Sequence, residues 1–361
     1  MSLGGLPGPV SGALALCISA VTGTVIGCDF TARTEMDIEP LVTSQASGTS
    51  VRLQAVSVVD EHIVWVSGLG GTYARTTDGG ETWSAGVVPG GESLQFRDVE
   101  AFDEHTAYLL SAGSGDQSRI YKTSNGGVSW TLQFTNDEPA GFFDCMAFWD
   151  SNSGIAFSDA VRHEFIVIET TDGATWRRVP SQRMPDALPD EGGFAASGTC
   201  LITYGDSTAW FGTGAADSAR VFKTTDRGET WSAAVTPIPS DSMGGITSIG
   251  FIDHVRGLAV GGNVGRPHEH QENVAYTDDG GATWTQAGEP TYAGAIYGIT
   301  VVPGTGIPVF VAVGPGGVDF TADLGITWSS LDTRNYWSVG FASRSAGWAV
   351  GPEGRITKIS F

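Results

Sequence analysis

The 361-residue sequence has few basic residues, few cysteines and no long apolar segment. Its 19 Lys and Arg residues face 40 Asp and Glu residues, and the formal net charge of −21 argues against partners bound by counterion release, such as nucleic acids or anionic membranes. The four cysteines form no CxxC motif, and no Gly-rich segment has the strand-turn-helix setting of a dinucleotide site, so we expect no cofactor. Glycine (51 residues) and tryptophan (11 residues) are abundant, and 41% of residues are hydrophobic, which indicates a folded chain with a large core.

The N-terminus contains an apolar stretch from Val10 to Ile26 with no charge before Asp29. It is too short and too rich in Ser, Thr and Gly for a membrane span, and it resembles a secretory signal segment ending in VIGC. That ending is similar to the bacterial lipobox, which would make Cys28 a lipidation site. No basic residue precedes Arg33, so a disordered or artificial leader is the alternative. We expect residues 1–30 to be a leader of an exported, periplasmic or extracellular protein.

A short motif recurs six times along the chain, as TTDGGETWS, TSNGGVSWT, TTDGATWRR, TTDRGETWS, TDDGGATWT and TADLGITWS. We call these segments the six repeated turns. Their tryptophans are Trp83, Trp130, Trp176, Trp231, Trp284 and Trp328, which lie 47, 46, 55, 53 and 44 residues apart. This spacing is typical of the four-stranded blade of a β-propeller.

Each repeated turn has the residues that a hairpin requires. The acidic or amide position is occupied by Asp78, Asn125, Asp172, Asp226, Asp279 and Asp323, whose side chains can accept hydrogen bonds from turn amides. The following Gly supplies a positive φ, and the Thr and Trp begin the next strand with an apolar anchor. One carboxylate per turn is too few for a calcium ion, so we interpret these residues as structural. The third turn is one residue shorter, so its geometry should differ.

The segments before the repeated turns contain three alternating apolar runs, and a short fourth run follows each turn. A seventh copy, YWSVGFASRSAGWAVGPEGRITKISF, supplies three strands and ends at Phe361, while residues 37–44 (DIEPLVTS) can supply the fourth. The sequence therefore predicts one all-β domain over 31–361, a seven-bladed β-propeller closed by pairing of its two ends. A six-bladed ring with a terminal cap is the alternative. The predicted blades lie near 50–90, 91–138, 139–182, 195–240, 244–289, 294–332 and 334–361.

The repeated turns resemble the Asp-box, or BNR repeat, of sialidases, of ten-bladed sortilin-type receptors and of the photosystem II stability/assembly factor family. Residues 50–361 are most similar to the last family, especially its bacterial relatives outside photosynthesis, through FRDVEAFDEHTAYLLSAG, GFFDCMAFWDSNSGIAFSD, EGGFAASGTC and TTDRGETW. The resemblance implies a propeller fold and an assembly-factor role. Relatives of this kind also bear glycosyl hydrolase or oxidoreductase labels. The chain lacks the Arg-Ile-Pro segment and a counterpart of the arginine triad of sialidases, so we do not expect a sialidase.

Function should lie on the face opposite the repeated turns, where the inner strands begin near the propeller axis. Arg52, Arg97 and Arg334 stand at the starts of inner strands in blades 1, 2 and 7, which ring closure makes neighbours. Such a cluster suits an anionic group or an acidic segment of a partner protein. The alternative is that each arginine pairs with a nearby carboxylate, such as Asp98 or Asp332.

Three carboxyls are candidates for glycoside hydrolysis, which needs two such groups about 5 to 10 Å apart. They are Asp144 at the start of an inner strand, Asp159 in the SDAVRHEF loop, and Glu191 in the long 177–199 connection. The same residues are candidate ligand contacts. The alternative is that they line a water-filled channel without a catalytic role.

Two further groups, a pair of histidines and a pair of cysteines, have side chains that can bind metals or form a disulfide. The loop GGNVGRPHEHQEN places His268 and His270 in alternation, with Glu272 next on that face, but we interpret it as a solvated loop and expect no metal site. Cys145 and Cys200 occupy matching places on inner strands of adjacent blades. We predict buried thiols there, because inner strands of neighbouring blades usually stand too far apart for a disulfide.

The sequence thus indicates an exported, monomeric, non-enzymatic propeller that binds a protein or a small ligand on its axial face, in the manner of an assembly or stability factor. The alternative is a glycan-active enzyme or lectin that uses Asp144, Asp159 and Glu191.

Overall fold

The computed structural model of the chain describes residues 40–269 and 272–361. The expected leader 1–30, with Cys28, lies outside the described residues, as do His270 and the first three residues of the predicted closing strand. The described residues form seven four-stranded antiparallel sheets and three short 3-10 segments. Among them, no helix is long and apolar enough to cross a membrane. The all-β, seven-bladed propeller is therefore confirmed.

Within each blade the strands are given from the axis outward. Blade 1 contains β2 (Leu53–Val58), β3 (Val64–Gly68), β4 (Thr72–Thr76) and β5 (Ser84–Val87), and blade 2 contains β6 (Phe96–Ala101), β7 (Thr106–Ser111), β8 (Arg119–Ser124) and β9 (Thr131–Thr135). Blade 3 contains β10 (Phe143–Asp150), β11 (Ser153–Val161), β12 (Glu164–Thr170) and β13 (Arg177–Arg178). Blade 4 contains β14 (Leu201–Tyr204), β15 (Thr208–Gly212), β16 (Arg220–Thr224) and β17 (Ser232–Val235).

Blade 5 contains β18 (Gly244–Phe251), β19 (Gly257–Asn263), β20 (Val274–Thr277) and β21 (Thr285–Gln286). Blade 6 contains β22 (Gly298–Val301), β23 (Phe310–Gly314), β24 (Gly317–Thr321) and β25 (Ser329–Asp332). Blade 7 contains β26 (Ser338–Ser343), β27 (Ala346–Val350), β28 (Arg355–Ser360) and β1 (Leu41–Ala46). The 3-10 segments are Gly115–Gln117, Ser181–Arg183 and Pro352–Gly354.

The two ends of the described chain close the ring. Strand β1 pairs antiparallel with β28, from Leu41 opposite Ser360 to Ala46 opposite Arg355. The first strand of each blade contacts the first strand of the next, and β26 returns to contact β2. The seventh copy is therefore a full blade, and the six-bladed alternative is wrong. Pairing the last open edge in this way leaves no gap in the ring where another chain could add a strand.

The hydrophobic core lies between blades. Trp210 of blade 4 stacks on Phe251 of blade 5 with ring centroids 3.8 Å apart, and both side chains are buried. Trp348 of blade 7 packs with Leu53 and Val66 of blade 1 in the same way. Each blade can bury its apolar faces only against its neighbours, so the ring depends on all seven.

Four of the seven inner strands contain a bulge near their start. The register shifts around a single extra residue, which is Gln54, Arg97, Asp144 or Thr247. An extra residue re-aims its side chain away from the regular alternation of the strand. Two of the residues singled out from the sequence, Arg97 and Asp144, owe their positions to this feature.

Candidate functional site

The repeated turns satisfy their own polar groups. In the fifth turn, Asp279 accepts hydrogen bonds from the Thr277 hydroxyl (2.8 Å), the Thr283 amide (2.9 Å) and the Thr283 hydroxyl (2.6 Å). The Gly281 amide donates to the Thr277 hydroxyl (2.9 Å) at a φ of 90°, which favours glycine. The hydrogen bonds from Thr283 lower the pKa of Asp279 to about 2. The same pattern recurs at Asp78, Asp226 and Asp323.

Two turns vary this pattern. Asn125 donates its side-chain amide to the Ser129 hydroxyl (2.8 Å) and accepts from the Ser129 amide (3.0 Å), so an uncharged side chain fills the same role. In the shorter third turn, Asp172 accepts from the amides of Ala174 (2.9 Å) and Thr175 (2.7 Å). These donors lie two and three residues on, where the other turns use four, so the third turn does differ.

The repeated turns lie on one face of the ring. The Gly79 amide donates to the carbonyl of His62 (3.0 Å), and the Gly280 amide donates to that of Val255 (2.8 Å), and the second and fourth turns make the same kind of bond, so four of the six turns are joined to the connection between the first two strands of their blade. The six tryptophans each pack against a different inter-blade core cluster, as Trp83, Trp130, Trp176, Trp231, Trp284 and Trp328. Their side chains therefore anchor the sheets. In the turns of Asp78, Asp226, Asp279 and Asp323, both carboxylate oxygens accept hydrogen bonds from the turn itself.

A cavity of about 220 Å³ lies at the axis on the opposite face, and we call it the axial pocket. Its wall comes from several blades, and its lining residues are Arg97, Phe194, Ala195, Ala196, Val264, Tyr297 and Trp337. Aromatic rings with few, well-placed polar groups are typical of small-molecule and peptide sites. The axial pocket is where the sequence predicted function to lie.

Two of the three predicted arginines meet beside this pocket. The Arg52 guanidinium lies 4.2 Å from the ring centroid of Trp337, and its buried Nε donates to no group in the described residues. Arg97 donates to Gln95 Oε1 (2.8 Å) and to the carbonyl of Ala195 (3.2 Å). Burial, and then the neighbouring Arg52, lower the pKa of Arg97. Neither guanidinium forms a direct salt bridge in the described residues, although Asp144 lies near enough to Arg97 to act on its pKa in the opposite direction.

Arg334 does not join this pair. It donates to Asp332 from Nε (2.9 Å) and from Nη2, and to the Ser44 hydroxyl (2.9 Å) near the closing strand. The three-arginine cluster is therefore corrected to Arg52 and Arg97. The alternative of carboxylate pairing holds for Arg334, because Asp332 lies only two residues before it.

The long connection before blade 4 crosses the axis. We call residues 192–199 the axial plug. Its backbone or side chains contact Gly214 of blade 4, the Ser248 hydroxyl of blade 5 and the Ser338 hydroxyl of blade 7, besides Arg97. Contacts on opposite sides of the ring require that the plug spans the central channel. Phe194, Ala195 and Ala196 thus form the closed floor of the axial pocket.

Asp144 and Asp159 are brought into contact beneath the plug. Their carboxyls are neighbours, packed against the backbone of Gly192 and Gly193, and the Gly193 amide donates to Asp159 Oδ1 (2.8 Å). Burial raises the pKa of Asp159 to about 6, and burial together with Asp159 raises the pKa of Asp144 well above its usual range. Glycosidase carboxyls stand about 5 to 10 Å apart around a sugar, so two carboxyls in contact do not have that geometry.

Glu191 is committed elsewhere. Its side chain is fully buried and accepts hydrogen bonds from Arg220 Nε (2.9 Å), the Thr213 hydroxyl (2.6 Å) and the Leu188 amide (2.8 Å). This ion pair fixes the start of the axial plug to blade 4. The carboxylate faces no open pocket, so Glu191 acts as an anchor of the loop.

Cys145 and Cys200 form a disulfide, with Cα atoms 6.0 Å apart. The prediction of two thiols is therefore wrong. Cys145 follows the bulge residue Asp144, and Cys200 lies just before β14, at the level where inner strands converge on the axis. The bond joins the end of the axial plug to blade 3, and both residues are fully buried.

The histidine-containing loop of blade 5 begins at the axial pocket with Val264, and its charged residues follow. Arg266 pairs with Asp241 (2.9 Å) and with Glu269 (2.9 Å), both at exposed positions. In residues 40–269 and 272–361, no three His, Cys, Asp or Glu side chains are grouped as metal ligands. His268 and Glu272 are exposed, and His270 is outside the described residues.

The aromatic part of the axial pocket was missed by the sequence reasoning. Tyr297 and Trp337 each stand immediately before an inner strand, in YGITV and WSVGF, and Phe194 follows a Gly-Gly pair. Large aromatic residues at the starts of inner strands, together with Arg52 at the start of blade 1, were the signal in the sequence that could have indicated this part of the pocket.

Comparisons with known proteins agree with this fold. No protein-family model matches the chain. Two xyloglucanase Xgh74A sequences of Acetivibrio thermocellus are 26% and 27% identical over 279 and 252 residues, which is 68% and 61% of this chain but 32% and 29% of those proteins. The chain therefore spans about a third of the curated relatives that it matches.

Among solved structures, YCF48 bound to D1 peptide superposes with a TM-score of 0.63 at 16% identity, covering 89% of this chain and 97% of that one. YCF48 from Cyanidioschyzon merolae gives 0.60 at 15% identity, covering 88% and 98%. The structure of U3-55K gives 0.59 at 14% identity, covering 89% and 98%. Similarity at this level of identity shows the propeller fold alone.

Proposed function

We propose that the protein is a non-enzymatic propeller that binds an acidic, aromatic-containing peptide segment of a partner protein in its axial pocket, as an assembly or stability factor. The observation that supports this most is the pair of guanidiniums without carboxylate partners, Arg52 and Arg97, beside the rings of Tyr297 and Trp337. An anionic side chain would be attracted by the two guanidiniums, and an apolar neighbour would contact the rings. The peptide bound to YCF48 is a precedent for peptide binding by a similar propeller.

The repeated turns also belong to this proposal. We infer that they are Asp-boxes and that the chain is a relative of the photosystem II stability/assembly factors. The recurring hydrogen bonds of Asp78, Asp226, Asp279 and Asp323 support this inference, because the same local network arises from the same residue spacing.

Selection from a phage-displayed random peptide library tests the proposed binding. The wild-type protein should enrich peptides that combine Asp or Glu with aromatic residues. The double variant R52A/R97A should bind the enriched peptides at least about 30-fold more weakly, since truncating one side of a buried charged contact costs about 2 kcal/mol or more. The matched control is R334A, which removes an arginine that also stands near the start of an inner strand but lies outside the pocket.

Equal binding of the enriched peptides to wild type and R52A/R97A would contradict the proposal. Thermal unfolding of each variant must accompany the binding data, because Arg52 stacks on Trp337 and therefore supports the pocket wall.

We further propose that the protein is exported. The buried Cys145–Cys200 disulfide supports this, since disulfides persist in oxidising compartments and are rare in the reducing cytosol. Intact-mass measurement of the mature protein from its native host tests both the leader and Cys28. Cleavage before Cys28 with a lipid adduct supports lipidation, cleavage without an adduct supports secretion, and an uncleaved chain argues against export.

The second candidate function is a glycan-binding or glycan-cleaving protein, which the similarity to xyloglucanase sequences favours. The contact of Asp144 with Asp159 and the burial of Glu191 weigh against catalysis by these residues. A glycan array that includes xyloglucan oligosaccharides, followed by incubation with the best binder, separates the options. Binding without cleavage indicates a lectin, cleavage that is lost in D159N indicates an enzyme, and no binding removes this candidate.

A further inference from the structure

The axial plug rests directly on two carboxyls. The Gly193 amide donates to Asp159 (2.8 Å), and the Ala195 amide lies close enough to Asp144 to lower the pKa of that carboxyl. A Cβ atom added at Gly193 would lie 2.7 Å from Cγ of Asp144, so the plug backbone and the carboxyl are already in contact. A change in charge at either carboxyl therefore acts on the plug without an intermediate.

The two carboxyls can remain in contact only while they share a proton. Asp144 is buried, and its Oδ2 accepts no hydrogen bond from any N–H or O–H group of the described residues. Two adjacent carboxylates in a buried site repel each other strongly if both are ionised. The raised pKa values of Asp144 and Asp159 agree with this geometry: near neutral pH the pair carries one proton and one negative charge.

The charged groups around the pair connect it to the axial pocket. Arg97 faces Asp144 from blade 2 and donates to the Ala195 carbonyl, and Arg52 lies beyond Arg97. On the other side, the backbone of Glu191 accepts from the Ala160 amide next to Asp159 (3.1 Å), but the Glu191 carboxylate is neutralised by Arg220. Two further carboxyls face the plug from blade 2: Asp98 lies against Gly198, with Glu100 beside it, and burial raises the pKa of both. At Gly193 itself, the charge that changes is that of the Asp144–Asp159 pair.

We propose that Asp144 and Asp159 are positioning residues that share one proton and latch the axial plug, so that loss of this proton loosens the floor of the axial pocket. The proton goes to solvent, and the second negative charge then repels the first across the Gly193 contact. The added charge next to Arg97 also weakens binding of an anion in the pocket, so anion binding takes up a proton. This last consequence rests on the proposed function, whereas the latch does not.

Amide hydrogen exchange of the plug, measured by mass spectrometry without any ligand, tests the latch. Protection of peptides covering 192–199 is measured from about pH 6 to about pH 9 and corrected for intrinsic exchange. The wild type should lose protection at least about 10-fold over this range, the change expected when one group shifts its pKa by one unit between closed and open states. The D144N/D159N variant, whose pair cannot ionise, should lose much less protection, and the part of the loss that remains belongs to Asp98 and Glu100 of blade 2.

The control variant is D190N, which removes an exposed charge from the same connection and should keep the wild-type pH profile. An equal pH profile in wild type and D144N/D159N would overturn the latch. If the double variant is not folded by circular dichroism, D159N alone answers the question: Asp144 then has no second charge to repel it, so the loss of protection should be reduced as in the double variant, and a wild-type profile would overturn the latch.

A second arm uses a peptide enriched in the library selection. Its affinity for wild type should fall at least about 3-fold between pH 6 and pH 9, and isothermal titration in buffers of different ionisation enthalpy should show proton uptake. A pH-dependent plug without any binding peptide supports the latch and contradicts the proposed function. If a peptide binds with pH-independent affinity and the exchange of the plug is also pH-independent, the proposed function is supported and the latch is contradicted.

Discussion

The carboxyls of the repeated turns and the carboxyls near the axis have pKa values that are shifted in opposite directions. Asp78, Asp172 and Asp279 receive hydrogen bonds from donors within four residues, and these bonds lower each pKa to about 2. Asp144 and Asp159 depend on each other and on a loop that arrives from the next blade, and burial raises both pKa values. A carboxylate satisfied by its own turn stabilises the ring. A carboxyl whose partners are distant in sequence belongs to a region whose contacts can change when that carboxyl gains or loses a proton.

The strongest expected effect on stability concerns the axial side. Replacing both disulfide cysteines, C145S/C200S, removes a cross-link that closes 55 residues of chain and should lower the free energy of unfolding by about 4 kcal/mol. Urea unfolding followed by tryptophan fluorescence measures the loss. A decrease below about 1 kcal/mol would mean that the other plug contacts suffice to hold blades 3 and 4 together.

Removal of one turn carboxylate should have a smaller effect. D323A deletes the acceptor of the Thr321 hydroxyl and of the Thr327 amide and hydroxyl, and should cost about 1 to 2 kcal/mol of unfolding free energy while peptide binding is unchanged. The control is D278A, since the exposed Asp278 side chain accepts no hydrogen bond from the described residues. A loss of peptide binding in D323A would contradict the separation of the two faces.

The two regions should also respond to pH with opposite signs. Turn carboxylates with lowered pKa values stabilise the fold above about pH 4, and this contribution is lost as pH falls towards 2. Burial raises the pKa of Glu100 to about 8, so this residue and Asp159 make stability fall as pH rises from about 4 through 8. E100Q should flatten that alkaline decrease in a series of thermal melts and leave the acidic decrease unchanged.

The smallest expected effect is that of R334A. Because Arg334 pairs with Asp332 at the end of the outer strand of blade 6, its loss should change peptide affinity less than about 2-fold and unfolding free energy by less than about 1 kcal/mol. A large loss of binding would restore Arg334 to the arginine cluster that the sequence suggested.

The fold was predictable because its signals are local and repeated. The Trp spacing indicated six blades, the copy after Arg334 indicated the seventh, and residues 37–44 indicated the closing strand, which begins at Leu41 in the structure. The axial site was predictable only in part, since Arg97, Asp144 and Asp159 were candidates but their partners were not. Bulges, the path of residues 192–199 across the axis and the resulting approach of Cys145 to Cys200 depend on contacts between distant blades.

Photo-crosslinking with a selected peptide that carries a benzophenone group locates binding on the molecule. After irradiation and proteolysis, the crosslinks should map to the axial plug, Tyr297 or Trp337, and R52A/R97A should greatly reduce their yield. Crosslinks confined to the repeated turns, with a yield indifferent to both arginines, would place binding on the other face and refute the assignment of the two faces.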